Sequence, residues 1–456
     1  MSGLTMMRWN NFPEGQVAII YDDEIYTYAS LRHSFEDFKD FCSLNGIYRA
    51  VVALEGDYSP NVIAMFLALI DQECIVAPVG MATDKRKKTE FYEIAGVEII
   101  LKCGVTGGFT IRRLGTSYRP TLYDSLVQLQ RPGLVVFSSG TSGRNKGIVH
   151  DFSLLQQKYL RSTHPRRTIV FLLYDHLGGL NTLFHTLASG GVAILLTDRS
   201  PATVCRLIET YKAQLLPVSP TFLNLLLVGH YSTKFDLGSL ELITYGSEPM
   251  PDSVLKRLNE EFPNARLLQT YGLSETGVLK TQSLANDSLW IKIDSREAEF
   301  RVVDGLLEIK SATGMLGYLN DESPFTSDGW LRTGDRVQVD GEYLRVLGRD
   351  GDMINIGGEK VFPTEVESVL GMLDGVLDVV VSGERNVLIG TLIKATVHLS
   401  TNETPSEFHE RMWRFCIKQL PRYKIPQRVE ISREPLHTER FKKRRTALSS
   451  GTNALE

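Results

Sequence analysis

A cluster of small, polar and basic residues follows the short apolar run Val135 to Phe137. The cluster comprises Ser138, Ser139, Gly140, Thr141, Ser142, Gly143 and Lys146. Glycines let the backbone turn tightly and bring its N–H groups close to a ligand. Successive N–H groups, hydroxyls and a cation can together replace the hydration shell of a polyphosphate. The cluster therefore predicts a phosphate-binding loop. It is not a Walker A motif, because Lys146 leads into strand-like residues rather than opening a helix.

Two further polar turns follow apolar runs later in the chain. The first contains Gly246 and Ser247, and the second contains Tyr271, Gly272, Ser274 and Glu275. An adenine ring needs a flat apolar slot with hydrogen-bonding groups at its edge, and two adjacent turns can supply its walls. A hard cation that bridges phosphates prefers carboxylate oxygen, which Glu275 offers.

Two more candidates lie after predicted strands. Asp335 has two acceptor oxygens suited to the paired hydroxyls of a ribose, although an aspartate that caps a turn would have the same local sequence. His176 follows the predicted strand Thr168 to Leu173, at the sheet edge where open α/β sheets bind ligands. A structural role for His176 is the alternative. Asp175, beside it, is expected to cap a loop or to bind a polar group of a substrate.

The elements that must position these residues are those of an α/β fold. Apolar runs at Val17–Ile20, Val51–Leu54 and Ile75–Pro78 predict buried strands, and Val62–Ile70, opened by Ser59-Pro60, predicts a buried helix between the last two. Strand and helix alternate as in βαβ units. Capping boxes are expected at Ser153 and Thr364.

Composition narrows the class of protein. The chain has 456 residues, 43% hydrophobic and 23% charged, with a net charge of −4. These values are typical of a soluble enzyme of at least two domains, and they favour neither a nucleic-acid partner nor a membrane. Five cysteines without a CxxC pair predict buried, reduced thiols. Residues 1–14 have no apolar segment typical of a signal peptide, so the cytoplasm is the expected location.

In combination, these motifs resemble those of the adenylate-forming superfamily of acyl-CoA synthetases, peptide-synthetase adenylation domains and beetle luciferases. The resemblance covers about Gln16 to Leu448. It is most like acyl- or aryl-CoA ligases, because Gly357-Gly358-Glu359-Lys360 resembles their version of this loop. It implies a large domain of mixed sheets flanked by helices, residues 1–348, which binds ATP and the acyl substrate. A small, mobile α+β domain, residues 349–456, is expected to follow.

The resemblance also implies roles for individual residues. The loop 138–143 and Lys146 hold the phosphates, and Glu275 helps to hold Mg²⁺. Gly246, Ser247, Tyr271, Gly272 and Ser274 contact the adenine and the α-phosphate. Asp335 and Arg349 bind the ribose. His176 contacts the acyl group, and Gly357 and Gly358 contact the thiol of coenzyme A.

The C-terminal basic stretch departs from the family pattern. The family has a glycine and then a lysine that bridges the substrate carboxylate and the phosphate. Counting back from Arg445 selects Lys442, with Phe441 in place of the glycine, whereas counting forward from Pro435 leaves Lys443 as the alternative. At the expected hinge, Gly351 replaces the usual Asp or Lys.

The implied activity is the ATP-dependent conversion of a carboxylic acid to acyl-AMP, followed by thioester formation with coenzyme A. The alternatives are the loading of a phosphopantetheinyl carrier protein and a non-catalytic nucleotide-binding relative. The acyl pocket is expected within 174–180, 219–224 and 245–247, where the scarcity of charges favours an apolar acyl or aryl group. The protein is expected to be a monomer or a homodimer.

Overall fold

Two mixed sheets flanked by helices form the N-terminal part of the chain in the computed structural model, which describes residues 6–8, 11–104, 107–115, 118–139, 144–160, 164–386, 390–438 and 441–444. The predicted phosphate-binding residues Gly140, Thr141, Ser142 and Gly143, and the side chain of Ser139, lie outside the described part.

The first sheet has the strand order β20-β8-β7-β4-β3-β5-β6. Its strands are β3 (Val51–Glu55), β4 (Ile75–Val79), β5 (Ile99–Cys103), β6 (Phe109–Arg113), β7 (Gly133–Ser139), β8 (Asn145–Asp151) and β20 (Gly317–Tyr318). β3 and β4 are buried throughout and pair in parallel, as continuous apolar runs predict. β7 and β8 are antiparallel and pair Ser138 with Lys146, so the predicted loop joins two strands.

The second sheet has the order β13-β12-β11-β9-β10-β1-β2 and is parallel except for β2. Its strands are β1 (Val17–Tyr21), β2 (Glu24–Thr27), β9 (Arg167–Val170), β10 (Val192–Leu195), β11 (Leu215–Val218), β12 (Leu242–Tyr245) and β13 (Arg266–Gln269). Their carboxyl ends lie at one edge, and Gly246 and Thr270 follow β12 and β13 there. This edge positions the predicted adenine-binding turns.

Helices cover both sheets. They are α1 (Tyr28–Leu44), α2 (Pro60–Asp71), α3 (Lys85–Ala95), α4 (Asp124–Gln128), α5 (Phe152–Tyr159), α6 (Leu177–Ala188), α7 (Pro201–Tyr211), α8 (Pro220–Val228) and α9 (Asp252–Glu261). α2 begins as the sequence predicts, because Ser59 accepts a hydrogen bond from the Val62 N–H and Pro60 occupies the first turn. Apolar on all sides, it is buried in the largest core cluster.

An antiparallel sheet with the order β16-β17-β22-β21-β19-β18 follows. Its strands are β16 (Thr281–Ser283), β17 (Ile291–Ile293), β18 (Ala298–Val303), β19 (Leu306–Ser311), β21 (Leu331–Asp340) and β22 (Tyr343–Arg349). Before it, the short hairpin of β14 (Tyr271–Leu273) and β15 (Gly277–Leu279) turns at Ser274 and Glu275. β21 and β22 form a hairpin in which Asp340 pairs with Tyr343, so the chain turns at Gly341.

The last hundred or so residues form a smaller α+β unit, a size typical of a domain. It contains β23 (Ile354–Ile356), β24 (Glu359–Val361), α10 (Pro363–Leu370), β25 (Val376–Asn386), β26 (Gly390–Leu399), α11 (Pro405–Cys416) and β27 (Arg428–Ile431). Its buried apolar residues, from Ile354 to Ile425, form a cluster that contains none of the preceding chain. The fold class is therefore α/β with a small α+β unit, as predicted.

Several local predictions are wrong. The strand after residue 167 ends at Val170 rather than Leu173, so an irregular segment leads into α6. α5 is capped by Asp151 instead of Ser153. α10 begins at Pro363 without a side-chain cap, and the side chain of Glu367 accepts a hydrogen bond from the Val381 N–H instead of joining a capping box with Thr364.

The cysteines are free thiols, as predicted, and four of the five are buried. Burial raises the pKa of Cys42, Cys74 and Cys205 to about 12. In the described part of the chain, none of the helices combines the length and the apolar character that crossing a membrane would require.

Candidate active site

A cleft of about 1650 Å³ lies at the carboxyl ends of β9, β11, β12 and β13 and extends across the face of this sheet. The cleft brings together ten of the predicted site residues, which are Ser138, Lys146, His176, Gly246, Ser247, Gly272, Ser274, Glu275, Arg349 and Lys442. They come from six separate stretches of sequence. Such convergence of polar groups in one concave site is typical of an active site.

Tyr318 connects the two charged groups at one end of the cleft. Its hydroxyl donates a hydrogen bond to Glu275 Oε1 at 2.7 Å, and Lys146 Nζ lies 5.0 Å from the centre of its ring. Lys146 also forms an ion pair with Asp321. Sequence reasoning missed Tyr318 and Asp321, because nothing near them in the sequence indicates a contact with residues so far away along the chain.

The turn that carries Ser274 and Glu275 is held by close backbone packing. A Cβ atom on Gly272 would lie 2.5 Å from the Gly277 carbonyl oxygen, so only glycine fits this position. His150, which is fully buried, fixes the turn from behind through a 2.7 Å hydrogen bond between Nε2 and the Ser274 carbonyl. Burial lowers the pKa of His150 to about 4. The ring is therefore neutral at pH 7, and Nε2 is the donor.

The neighbouring turn after β12 is equally restricted. A Cβ atom on Gly246 would lie 2.6 Å from Thr270 Oγ1 and 2.8 Å from the Thr270 carbonyl oxygen. Ser247, the next residue, has a φ of +70°, in the left-handed region. The two turns thus approach each other so closely that they form one continuous wall of the cleft.

Tyr271 and Asp335 lie directly behind the cleft wall. Tyr271 is buried and its hydroxyl donates to Asp335 Oδ2 at 2.5 Å, while Arg349 Nε lies 2.8 Å from Asp335 Oδ1. Burial raises the pKa of Asp335, and the charge of Arg349 together with the Tyr271 hydrogen bond acts in the opposite direction. The Tyr271 ring does not line the cleft, whereas Gly334 and Arg349 do. Tyr271 therefore positions the aspartate.

His176 is the N-cap of α6. Its Nδ1 accepts a hydrogen bond from the Gly178 N–H at 3.2 Å, which fixes the ring at the cleft wall. A Cβ atom on Gly179 would lie 2.2 Å from the Leu173 carbonyl oxygen, so the first turn of α6 requires glycine there. Asp175 does not line the cleft, and its Oδ2 faces the loop at Gly80.

The C-terminal stretch enters the cleft at Lys442. Phe441 has a φ of +51°, a conformation that glycine adopts without strain. Its ring packs 5.3 Å from Phe171 and 5.4 Å from Phe222, centre to centre, and its carbonyl accepts a hydrogen bond from Ser219 Oγ at 2.8 Å. The left-handed backbone explains why glycine is usual in the family at the position that the backward count assigns to Phe441.

Lys443 points away from the cleft. Its Nζ donates to the Val379 carbonyl at 2.7 Å and pairs with Glu367 Oε2 at 3.2 Å, both in the small unit. Its backbone N–H donates to Glu248 Oε2 at 3.2 Å, in the part of the chain that precedes residue 349, here called the large unit. Lys443 therefore fastens this stretch to both units and leaves Lys442 directed at the cleft.

Two groups of predicted residues lie elsewhere. Gly357 and Gly358 form the exposed two-residue turn of the β23–β24 hairpin, with φ angles of +58° and +96°, and do not line the cleft. Residues 219–224, expected in the acyl pocket, do not line the cleft. Phe222 and Leu223 are buried in a core cluster, and Asn224 faces the small unit, where its Nδ2 donates to the Leu377 carbonyl at 2.9 Å.

The fold is that of the adenylate-forming enzymes. A solved structure of o-succinylbenzoate CoA synthetase from Bacillus subtilis, in complex with its acyl-adenylate intermediate, superimposes with a TM-score of 0.75 at 20% identity, covering 99% of this chain and 98% of that one. The sequence profile of the AMP-binding enzyme family matches residues 7–308, so the chain belongs to that family.

Curated relatives include CoA ligases. A 3-[(3aS,4S,7aS)-7a-methyl-1,5-dioxo-octahydro-1H-inden-4-yl]propanoyl:CoA ligase of Rhodococcus jostii is 28% identical over 65% of this chain and 61% of its own length. A 2-succinylbenzoate–CoA ligase of Bacillus licheniformis is 30% identical over 66% of each protein. The chain thus spans slightly less than two thirds of the length of these relatives.

Proposed function

We propose that the protein activates a carboxylic acid with ATP to form acyl-AMP and pyrophosphate, and then transfers the acyl group to the thiol of coenzyme A. The observation that carries the proposal is the convergence of Lys146, Glu275 and Lys442 in one cleft. Membership of the AMP-binding enzyme family supports it. So do the names of the relatives, which are CoA ligases.

Lys146 is proposed to hold the phosphates that leave as pyrophosphate. Its ion pair with Asp321 keeps the ammonium at the cleft wall, next to the strand that carries Ser138. A phosphate group competes with Asp321 for this ammonium and offers more negative charge. The Ser138 hydroxyl and the loop 139–143 are proposed to complete the phosphate site.

The carboxylate of Glu275 is suited to a magnesium ion that arrives with ATP. Among the described residues, no group of three or more His, Cys, Asp or Glu side chains is placed to hold a metal alone. Magnesium typically uses one or two protein carboxylates together with substrate phosphates, so a single glutamate fits. Bound there, the ion would neutralise phosphate charge. Tyr318 orients the carboxylate through its hydrogen bond to Oε1.

The residues of the cleft wall are proposed to make the remaining contacts with the nucleotide. The close turns at Gly246 and Gly272 admit the flat adenine against their backbones, with Ser247 at the edge. Ser274 is proposed to contact the α-phosphate. Asp335, held by Tyr271 and Arg349, is proposed to bind the ribose hydroxyls after Arg349 shifts aside.

Lys442 is proposed to act during the attack of the acid on the α-phosphorus. A fixed cation stabilises the charge that develops on the phosphate and carboxylate oxygens in the transition state. His176 is proposed to border the acyl group.

Residues 349–456 are proposed to be the mobile domain. In the arrangement seen here, Lys442 faces the cleft while Gly357 and Gly358 are exposed. A rotation near Gly351 would exchange them, and the glycines would then line the path of the coenzyme A thiol. A carrier protein in place of coenzyme A is the second candidate acceptor. A cytoplasmic monomer or homodimer fits this activity.

The decisive experiment measures acid-dependent release of pyrophosphate from ATP over a broad panel of carboxylic acids, followed by acyl-CoA formation with the best acid. We expect both products. Release of pyrophosphate without acyl-CoA would favour a carrier protein as the acceptor. An absence of release with every acid would favour a non-catalytic nucleotide-binding protein.

A further inference from the structure

The helix that follows His176 presents a polar face to the cleft. The cleft-lining residues on this face of α6 and directly after it are Asn181, Thr182, His185, Thr186 and Ser189. Their spacing of one, three or four residues places them along one side of the helix. The hydroxyls of Thr182 and Thr186 donate to carbonyls one turn earlier, at 3.0 and 2.8 Å. These oxygens therefore remain as acceptors.

Asn181 is the first residue of this polar face after His176. The side-chain amide of Asn181 makes no hydrogen bond with any other residue that the structure describes, although this side chain is half-buried. It lies five residues after His176, or roughly 8 Å along the helix axis. An amide in this setting has both a donor and an acceptor to offer to a ligand.

Lys158 approaches the same region from α5. Its side chain is only 5% exposed, and Nζ donates to the Val278 carbonyl and lies 3.6 Å from Glu297 Oε2. Lys158 lines the cleft, and its ammonium has three donors, one of which Val278 occupies.

His185 completes the polar wall. Burial and the nearby charge of Lys158 lower its pKa to about 4, so the imidazole is neutral at pH 7. Lys280 and Arg296, both largely exposed, lie at the outer rim of the cleft together with Asp294 and Glu297. The opposite wall is the sheet face, with Leu215, Pro217 and Leu242 among its residues.

We infer that the acid activated by this protein carries a second oxygen function, a ketone or a carboxylate, roughly 8 Å beyond the part of the acyl group that borders His176. This inference rests on the proposed function and narrows it. A plain alkyl or aryl tail would press hydrocarbon against Asn181 and Lys158 and deprive them of water without replacing its hydrogen bonds. An oxygen acceptor satisfies both donors, while the carbon skeleton packs against the sheet. The sequence had favoured an apolar group, because Lys158 and His185 lie outside the ranges considered.

The test compares three acids of equal chain length: a fatty acid, the same acid with an internal ketone, and the corresponding dicarboxylic acid. The readout is kcat/KM for acid-dependent pyrophosphate release. One of the two oxygenated acids should exceed the fatty acid by about tenfold or more, the effect of one buried hydrogen bond. Equal or better use of the fatty acid would overturn the inference and leave the proposed function intact. No release with any acid would overturn both.

The variant Asn181→Leu tests the residue directly. It has a similar volume and sacrifices no hydrogen bond within the described protein, so it should fold. We expect kcat/KM for the preferred oxygenated acid to fall about tenfold, with the fatty acid unaffected or improved. Asn259→Leu, on α9 and outside the cleft, is the matched control and should change neither. An equal loss for both acids in Asn181→Leu would contradict a specific contact.

Discussion

At the scale of single residues, Phe441 determines where Lys442 lies. The ring is fixed against Phe171 and Phe222, and the left-handed backbone at Phe441 turns the next side chain toward the cleft. Lys443, one residue further, is held by Glu367. The two lysines that the sequence left as alternatives therefore have different surroundings, and the geometry favours Lys442 as the adenylation lysine.

Replacing Lys442 with alanine should reduce acyl-AMP formation by roughly 10²–10³, the effect of one electrostatic donor in a transition state. With preformed acyl-AMP, the same variant should form thioester at close to the native rate, because the charge is needed only while the phosphorus is attacked. Arg444→Ala, an exposed cation two residues away, is the control and should be mild. Similar losses in the two variants would show that only the basic character of the stretch matters.

Replacing Lys443 with methionine should instead destabilise the fold. Glu367 is buried, and without the lysine its charge would face the interior, at a cost of roughly 3–5 kcal/mol. We expect a lower midpoint in denaturant unfolding. The double variant Lys443→Met/Glu367→Gln should recover part of the loss, since no buried charge remains. If the double variant is no more stable than the single one, the ion pair is not the cause.

The buried His150 predicts a dependence of stability on pH. Its pKa is 6.5 in the unfolded chain and about 4 when folded, so between these values only the unfolded chain binds the proton. Stability should therefore fall as the pH is lowered from 7 to 4, by up to about 3 kcal/mol from this residue. His150→Gln should flatten the slope in urea unfolding, whereas the exposed His33→Gln should not. Identical slopes would contradict the lowered pKa.

At the scale of elements, the proposed adenine-binding wall depends on how closely β12 and β13 end beside each other. Gly246→Ala would place a methyl group 2.6 Å from Thr270 Oγ1, and the two turns would have to separate. We expect the KM for ATP to rise about tenfold, the effect of roughly 1.4 kcal/mol of lost binding energy. The matched control is Gly15→Ala, where a Cβ atom meets nothing within 4 Å. An unchanged KM would remove this turn from the nucleotide site.

Element types were predictable where the apolar pattern was strong, as for α2 and the parallel strands β3 and β4. The first residues of the helices were less predictable than the element types. At α5, the carboxylate of Asp151 accepts hydrogen bonds from the first N–H groups, so Asp151 rather than Ser153 caps the helix. At α10, the ring of Pro363 fixes the first turn without a side-chain cap. Motif spacing predicted ten residues that line the cleft, but Tyr271 and Asp335 lie behind its wall and Gly357 and Gly358 lie outside it. Nor could it predict contacts such as Tyr318 with Glu275, which depend on how distant strands pack.

At the scale of the whole molecule, the two half-reactions are proposed to use opposite faces of the small unit. Glu359 is exposed beside the Gly357-Gly358 turn, so Glu359→Trp adds bulk there without the backbone strain of a substitution at either glycine. We expect acyl-AMP formation to be retained and thioester formation to fall at least tenfold, because the ring would obstruct the path of the thiol. Arg385→Trp, at another exposed position of the small unit, is the control. Equal losses in both steps would contradict two separate orientations.

The aromatic contacts of Phe441 have a thermodynamic consequence. If the small unit rotates, Phe441 must leave Phe171 and Phe222, and apolar surface that is now buried becomes hydrated. Hydration of apolar surface raises the heat capacity. The equilibrium between the two orientations should therefore shift with temperature along a curve, and cooling should favour the orientation in which the rings are apart. A glycine at this position would lack that dependence, so the balance between the proposed acid activation and the proposed thiol transfer should respond to temperature more strongly here than in relatives with the usual glycine.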